Sequence, residues 1–245
     1  MQSGKMWNRL VSVGMVWMVA AAFAQSADVR CHVIVAGPKG ASPTYRDTVV
    51  VAWLTPVSAQ PPRAPRSQTE SSGIKLVQKN KRFEPHVLVV EVGSVVDFPN
   101  RDPFFHNVFS LFDGKRFDLG LYEAGSTRSV RFDRPGICYI FCNIHAQMSA
   151  VVVVVPTPFY ALASGKGDVV IPNVTPGRYQ LNLWQERVAP KLLKEASRQV
   201  TVGEDGTVLG PIHLQESQEV VMVHPNKYGK DYDPQVFSSP IYVQQ

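Results

Sequence analysis

Beyond residue 24 the sequence has no charge-free apolar stretch of membrane-spanning length, no dense lysine or arginine block, and only three cysteines in 245 residues. The first lack excludes a later transmembrane helix, which needs about 20 apolar residues, and implies a soluble mature chain. The second argues against nucleic acid as a partner, since no basic run is interleaved with aromatics. Formal charge is +5, and Lys5 and Arg9 supply two of those charges, so the chain after residue 24 carries about +3, enough only for weak steering toward an acidic partner. Residues 157–216 hold no Ser/His/Asp spacing and no paired acids, so hydrolysis has no visible machinery there. Between Ile74 and Val155 no segment of useful length has a helical period.

What is present begins with a leader. Lys5 and Arg9 precede an apolar run, Leu10 to Ala24, that ends in Ala22-Phe23-Ala24 before Gln25. A positive start, a short apolar core and an A-x-A site make a secretory signal, with cleavage expected after Ala24. A periplasmic or secreted location follows, in a compartment where disulfides form. Hydrophobic content of 44% suffices for a core, and the length suits one or two domains.

Short β-rich runs fill the rest. Val29 to Ala36 and Thr48 to Leu54, around the turn Gly37-Pro38-Lys39-Gly40, are expected to open a first sandwich. Residues 55–73, with four prolines, read as an irregular loop. Strands are expected at Val87 to Val92, Val95 to Phe98, Asn107 to Leu111, Ser129 to Phe132, Ile137 to Phe141 and Ala150 to Val155, the pattern of an antiparallel sandwich or barrel. After Pro156-Thr157-Pro158 a second series runs through Phe159 to Ala163, Val169 to Val174, Tyr179 to Trp184, Arg198 to Val202 and Val208 to Leu214. Residues 217–245 form a polar tail.

The chemistry lies in Cys142-Asn143-Ile144-His145-Ala146-Gln147-Met148, set between two apolar runs. A thiolate, an imidazole and a thioether so close together suit copper better than oxygen-seeking metals. A further imidazole, His106 in Phe104-Phe105-His106-Asn107-Val108-Phe109, would complete two His and one Cys with a weak axial Met, the blue-copper set.

The C-x2-H-x2-M loop and the earlier H-N-V-F resemble the cupredoxins, with a loop length like that of amicyanin. Pro135-Gly136-x5-Cys142 and Phe83-x-Pro85, followed by Val87 to Asn100, fit the same family over residues 74–156. The resemblance implies a Greek-key sandwich and one type 1 copper per chain, held by His106, Cys142, His145 and Met148. Asn107 would tie the two ligand loops together. The function implied is single-electron transfer, without turnover, between a dehydrogenase or cytochrome and another redox protein. Amine oxidation of the methylamine type is one pathway it suggests. An apolar rim of Phe104, Phe105, Ile144 and Ala146 around His145 would suit transient docking.

Rival readings stand beside this one. Multicopper oxidases and nitrite reductases place a His next to the blue-copper Cys, whereas Cys142 is flanked by Phe141 and Asn143. The binuclear copper loop of cytochrome oxidase subunit II runs C-x3-C-x3-H-x2-M. Cys138-x3-Cys142-x2-His145-x2-Met148 is one residue short of it, and strand geometry puts the two cysteines about 13 Å apart. Copper delivery, or an adhesion module without a redox role, is a third reading. With Cys142 on metal, Cys31 and Cys138 either pair as a disulfide or stay as buried free thiols. The run Asp168-x-x-Ile171-Pro172-Asn173-Val174-x-Pro176-Gly177-x-Tyr179-x-Leu181 resembles the carboxypeptidase regulatory-like, transthyretin-like sandwich over residues 157–216. That resemblance implies a smaller β-sandwich, either an accessory module or a partner- or carbohydrate-binding surface. His86 and His32 read as solvent-facing strand residues, and His224 lacks a nearby second ligand.

Overall fold

The structure, a computed structural model, describes residues 26–37, 49–58, 73–111, 114–163, 165–217 and 226–230. The leader, most of the proline-rich loop and His224 lie outside the described residues. Strands β1 (Ala27–Ala36) and β2 (Val51–Pro56) come first. Next are β3 (Val77–Lys79), β4 (Arg82–Glu84), β5 (Val87–Glu91), β6 (Val95–Pro99), β7 (His106–Ser110), β8 (Phe117–Tyr122), β9 (Thr127–Arg131), β10 (Gly136–Phe141) and β11 (Ser149–Val155). The chain continues through β12 (Tyr160–Leu162), β13 (Asp168–Val174), β14 (Gly177–Trp184), helix α1 (Pro190–Ala196), β15 (Arg198–Val202), β16 (Thr207–Val208) and β17 (Ile212–Gln215). The protein is all-β apart from α1 among the described residues, and no helix there is long and apolar enough to cross a membrane.

Residues 73–155 build the unit that carries the candidate metal-ligand residues. Its main sheet runs β5-β11-β10-β7-β8, with the pairs β6–β9 and β3–β4 beside it. The core of this unit gathers Leu76, Phe83, Val96, Phe98, Val130, Phe132 and Ile140. Most ladders are antiparallel, but β5 and β11 run parallel, Val87 opposite Val151. A parallel pair needs a long crossover, and here everything from β6 to β10 supplies it.

The first two strands depart from expectation. β1 pairs with β13, β16 and β17, and β2 pairs with β12 and β14. They do not open the first sandwich, and they belong instead with the strands after residue 157. Alternation marks a half-buried strand without naming its partner. The second sandwich stacks β13-β1-β16, with β17 also on β1, against β12-β2-β14-β15. The unit of residues 73–155 is thus inserted between β2 and β12, which are hydrogen-bonded neighbours. The single strand expected over Val208 to Leu214 is two, broken at Gly210-Pro211.

One strand joins the two parts. On β11, Ala150, Val152 and Val154 face the core of the inserted unit, while Val151, Val153 and Val155 pack with Val51, Leu54, Leu181 and Leu183 of the second sandwich. Burial on both faces explains why this strand reads as an unbroken apolar run. Tyr139 accepts a hydrogen bond from the Trp184 indole, and His86 reaches Glu186 at 2.8 Å across the same seam.

Candidate metal centre

Three segments converge at one end of the inserted unit. β10 runs straight into Cys142, and the return strand β11 starts at Ser149, opposite Phe141. Two backbone bonds close the loop between them, Cys142 N–H to Met148 O at 3.2 Å and Met148 N–H to His145 O at 2.9 Å. β7 lies beside β10 through Phe109 and Phe141, whose rings also meet at 5.9 Å. This pairing carries His106, at the start of β7, to the mouth of the loop.

Cys142 Sγ lies 3.7 Å from His106 Nδ1 and 3.6 Å from His145 Nδ1. One ligand atom from each of the three residues falls within 4.8 Å of the others. Cys142 and His106 are 0% exposed and Met148 1%, so the donors sit out of water. The two imidazole rings meet edge-on at 4.9 Å, and Phe104 packs on both, at 5.2 Å from His106 and 5.8 Å from His145.

Outer hydrogen bonds set the tautomer. His106 Nε2 donates to Asp102 Oδ2 at 2.7 Å, which leaves Nδ1 of a neutral ring with its lone pair toward the sulfur. Asp102 also accepts the backbone N–H groups of Asn80, at 2.6 Å, and Lys81, at 2.9 Å. Both residues have left-handed backbones, at φ 54° and 55°. Asn107 Oδ1 accepts Asn143 N–H at 3.2 Å, so the residues after His106 and after Cys142 are bonded to each other.

The electrostatics favour neutral, ligating histidines. Burial lowers His106 against the raising pull of Asp102. Burial, then His106 and Lys81, lower His145 to about 4. Burial raises the Cys142 thiol, while backbone N–H groups of Asn107, Ile144 and His145 favour the thiolate. Asp102 stays low because bonds from Lys81, His106 and Asn80 outweigh its burial. A buried sulfur ringed by N–H donors and two imidazole lone pairs, with a buried methionine in the same cluster, fits a soft cation better than a magnesium-like ion.

Other expected positions fall as follows. Phe104 and Ala146 are half-buried beside His145 and Phe105 is half-buried next to Phe104 in the chain, whereas Ile144 turns into the core at 9% exposure and does not belong to a rim. Cys31 and Cys138 are free thiols in two different cores, so the disulfide alternative is corrected. Cys31 lies on β1 in the second sandwich and Cys138 on β10 in the inserted unit, so the two sulfurs face separate interiors. Cys138 sits opposite Val152 and is not among the residues that meet at Cys142. His86 and His32 are both paired with carboxylates, Glu186 at 2.8 Å and Asp168 at 2.9 Å. Three polar contributors escaped the sequence reading: Asp102, Asp118 and Lys227. Asp102 had one local sign, its place four residues before His106.

No protein-family model and no curated protein matches this chain. Among solved structures, the chain is similar to a Cu-containing nitrite reductase (NirK) from Thermus scotoductus SA-01, at 24% identity and TM-score 0.32, over 34% of this chain and 22% of that one. It is also similar to a purple cupredoxin from Nitrosopumilus maritimus, at 22% identity and TM-score 0.31, over 34% of this chain and 99% of that one. A reduced amicyanin variant matches at 24% identity and TM-score 0.32, over 42% of this chain and 99% of that one.

Proposed function

We propose that this chain is an exported electron carrier of the cupredoxin type. One copper would be held by His106, Cys142 and His145, with Met148 as a fourth, weaker donor. The observation that carries the reading is the pair of imidazole Nδ1 atoms at 3.7 and 3.6 Å from a single buried sulfur. When bound, copper supplies one-electron chemistry between its two oxidation states. The chain's own residues do the rest. Asp102 orients His106, the Asn107–Asn143 bond ties the two ligand segments, and Phe104 shields both rings from water. His145, half-buried under Phe104, is the ligand nearest to solvent and serves as the electron port. Phe104, Phe105 and Ala146 form the reduced apolar rim for a short-lived contact with a dehydrogenase or cytochrome.

A carrier is favoured over an enzyme because the neighbours of Cys142 offer no wire to a second metal. Phe141 packs on Phe109, and Asn143 is committed to Asn107. The second sandwich is read as a carboxypeptidase regulatory-like accessory module that holds the carrier.

The test is visible absorption with EPR on the Cu(II)-loaded protein. An intense thiolate-to-copper band with hyperfine structure from one copper nucleus is expected. Splitting from two equivalent nuclei would bring Cys138 into the site instead. A protein that retains no copper overturns the reading.

A further inference from the structure

The C-terminal segment reaches the ligand loops from outside. Lys227 donates its backbone N–H to Asn143 Oδ1 at 2.9 Å and its ammonium to Asp118 Oδ2 at 2.8 Å. Asp118 Oδ1 accepts Asn107 Nδ2–H at 2.7 Å, and Asn107 Oδ1 accepts Asn143 N–H at 3.2 Å. Lys227, Asn143, Asn107 and Asp118 therefore close a ring of hydrogen bonds. Gly120 N–H adds a further bond to Asp118 at 2.9 Å. Two members of the ring directly follow the sulfur donor and the first imidazole in the chain.

An isolated ion pair at a surface stabilises little. This one is different in its connections. The ammonium at one end and the backbone N–H at the other hold Asp118 and Asn143 at once, from 109 and 84 residues away in sequence. Asp118 in turn fixes which way the Asn107 amide points, by taking its N–H. With the amide so oriented, Asn107 Oδ1 is free to accept from Asn143. The segment around Lys227 is itself shaped for the task. Asn226 Oδ1 accepts the backbone N–H groups of Tyr228 and Lys230, at 2.9 and 3.1 Å, and Asn226 N–H donates to Lys230 O at 2.7 Å.

We infer that Lys227, with Asp118, is a positioning residue for the copper site, a C-terminal clasp that holds the Asn107–Asn143 link between the two ligand segments. The inference rests on the copper reading above. Loosening the clasp frees the Asn107 amide to rotate and slackens the loop between Cys142 and Met148. Partners of this outer kind change metal affinity by about 10- to 100-fold.

The experiment compares the copper-loaded full chain with Lys227→Met, Lys227→Arg and Asp118→Asn. Lys191→Met, on α1 at 86% side-chain exposure, is the control for loss of a distant charge. Copper retention against a chelator, the charge-transfer band, the copper hyperfine splitting and the reduction potential are read on each. Lys227→Met and Asp118→Asn should both lose copper about tenfold more readily and share a shifted band and hyperfine splitting. Their potentials should move in opposite directions, down for loss of the cation and up for loss of the anion. Lys227→Arg should restore most of the wild-type behaviour, and Lys191→Met should change nothing. Opposite potential shifts with unchanged retention and spectra would reduce the pair to plain electrostatics and overturn the clasp. Variants indistinguishable from a blue wild type would overturn it while leaving the copper reading intact. A wild type that holds no copper overturns both. Should Asp118→Asn not fold, the surface change Lys227→Met decides alone.

Discussion

Nε2 of His106 and Oδ2 of Asp102 are 2.7 Å apart in a buried pair, and the same carboxylate takes two backbone N–H groups from residues 80 and 81. The imidazole is therefore locked in ring orientation and tautomer by a group that is itself locked. Asp102→Asn keeps the shape, removes the charge, and points an amide N–H₂ at donors. Copper affinity should fall by about 10- to 100-fold, and the reduction potential should rise as Cu(II) loses a compensating negative charge. Unsatisfied donors should cost the copper-free protein about 1–3 kcal/mol. Competition titration, voltammetry and urea unfolding measure the three effects.

Replacing the sulfur tests the donor set itself. Cys142→Ala should abolish the charge-transfer band entirely while leaving the β-sheet circular dichroism unchanged. A blue Cys142→Ala protein would place the thiolate elsewhere.

The bond between His86 and Glu186 gives the seam a pH dependence. The hydrogen bond that His86 donates to Glu186 raises the His86 pKa above 6.5 despite partial burial, and the Ser149 carbonyl accepts from the other ring nitrogen. Both partners are acceptors, so they favour the doubly protonated ring. With the folded pKa above the unfolded one, the stabilisation is fully present below 6.5 and is lost as pH rises through the folded value. His86 is 48% exposed, so the effect stays under about 1 kcal/mol. The gap in urea midpoint between wild type and Glu186→Gln should narrow from about pH 6 to about pH 9. A gap that stays constant would mean the histidine is not charged in this pair.

Val153 sits on the face of β11 that packs against the second sandwich, at 1% exposure. Val153→Ala should cost roughly 2 kcal/mol through lost burial and the cavity left behind. The loss should appear in unfolding followed at Trp184, in the second sandwich, as well as in copper release. An effect on copper release alone would mean that the two cores do not support each other.

The candidate ligand cluster was legible because its chemistry is concentrated: Cys142, His145 and Met148 share one tight loop, and His106 stands at the start of a buried strand. The strands of the inserted unit were legible where side chains alternate or, as in β11, are apolar throughout. β8 was not, since Gly120, with φ +67°, interrupts Phe117–Tyr122 and half its residues carry no facing preference. The three-residue strands β3 and β4 are too short to show a period, and α1 buries only Leu193, so neither leaves a readable stripe. Asp102 and Lys227 escaped for a different reason. Each acts through a bond to a segment distant in sequence, and no local pattern encodes such a meeting. The placement of Val29 to Ala36 failed in the same way, because alternation reports a face and leaves the neighbour unspecified.

The insertion between β2 and β12 also orders events in time. β1 finds its antiparallel partner only at β13, after the whole inserted unit has been made, and Trp53 waits equally long for Tyr160. Contacts so distant along the chain form slowly. The inserted unit, whose ladders close within residues 73–155, can assemble first and present the Val151, Val153 and Val155 face as a template. β1 and β2 are thus the last strands to be paired, and until then their unpaired edges are the part of this protein most in need of protection from aggregation.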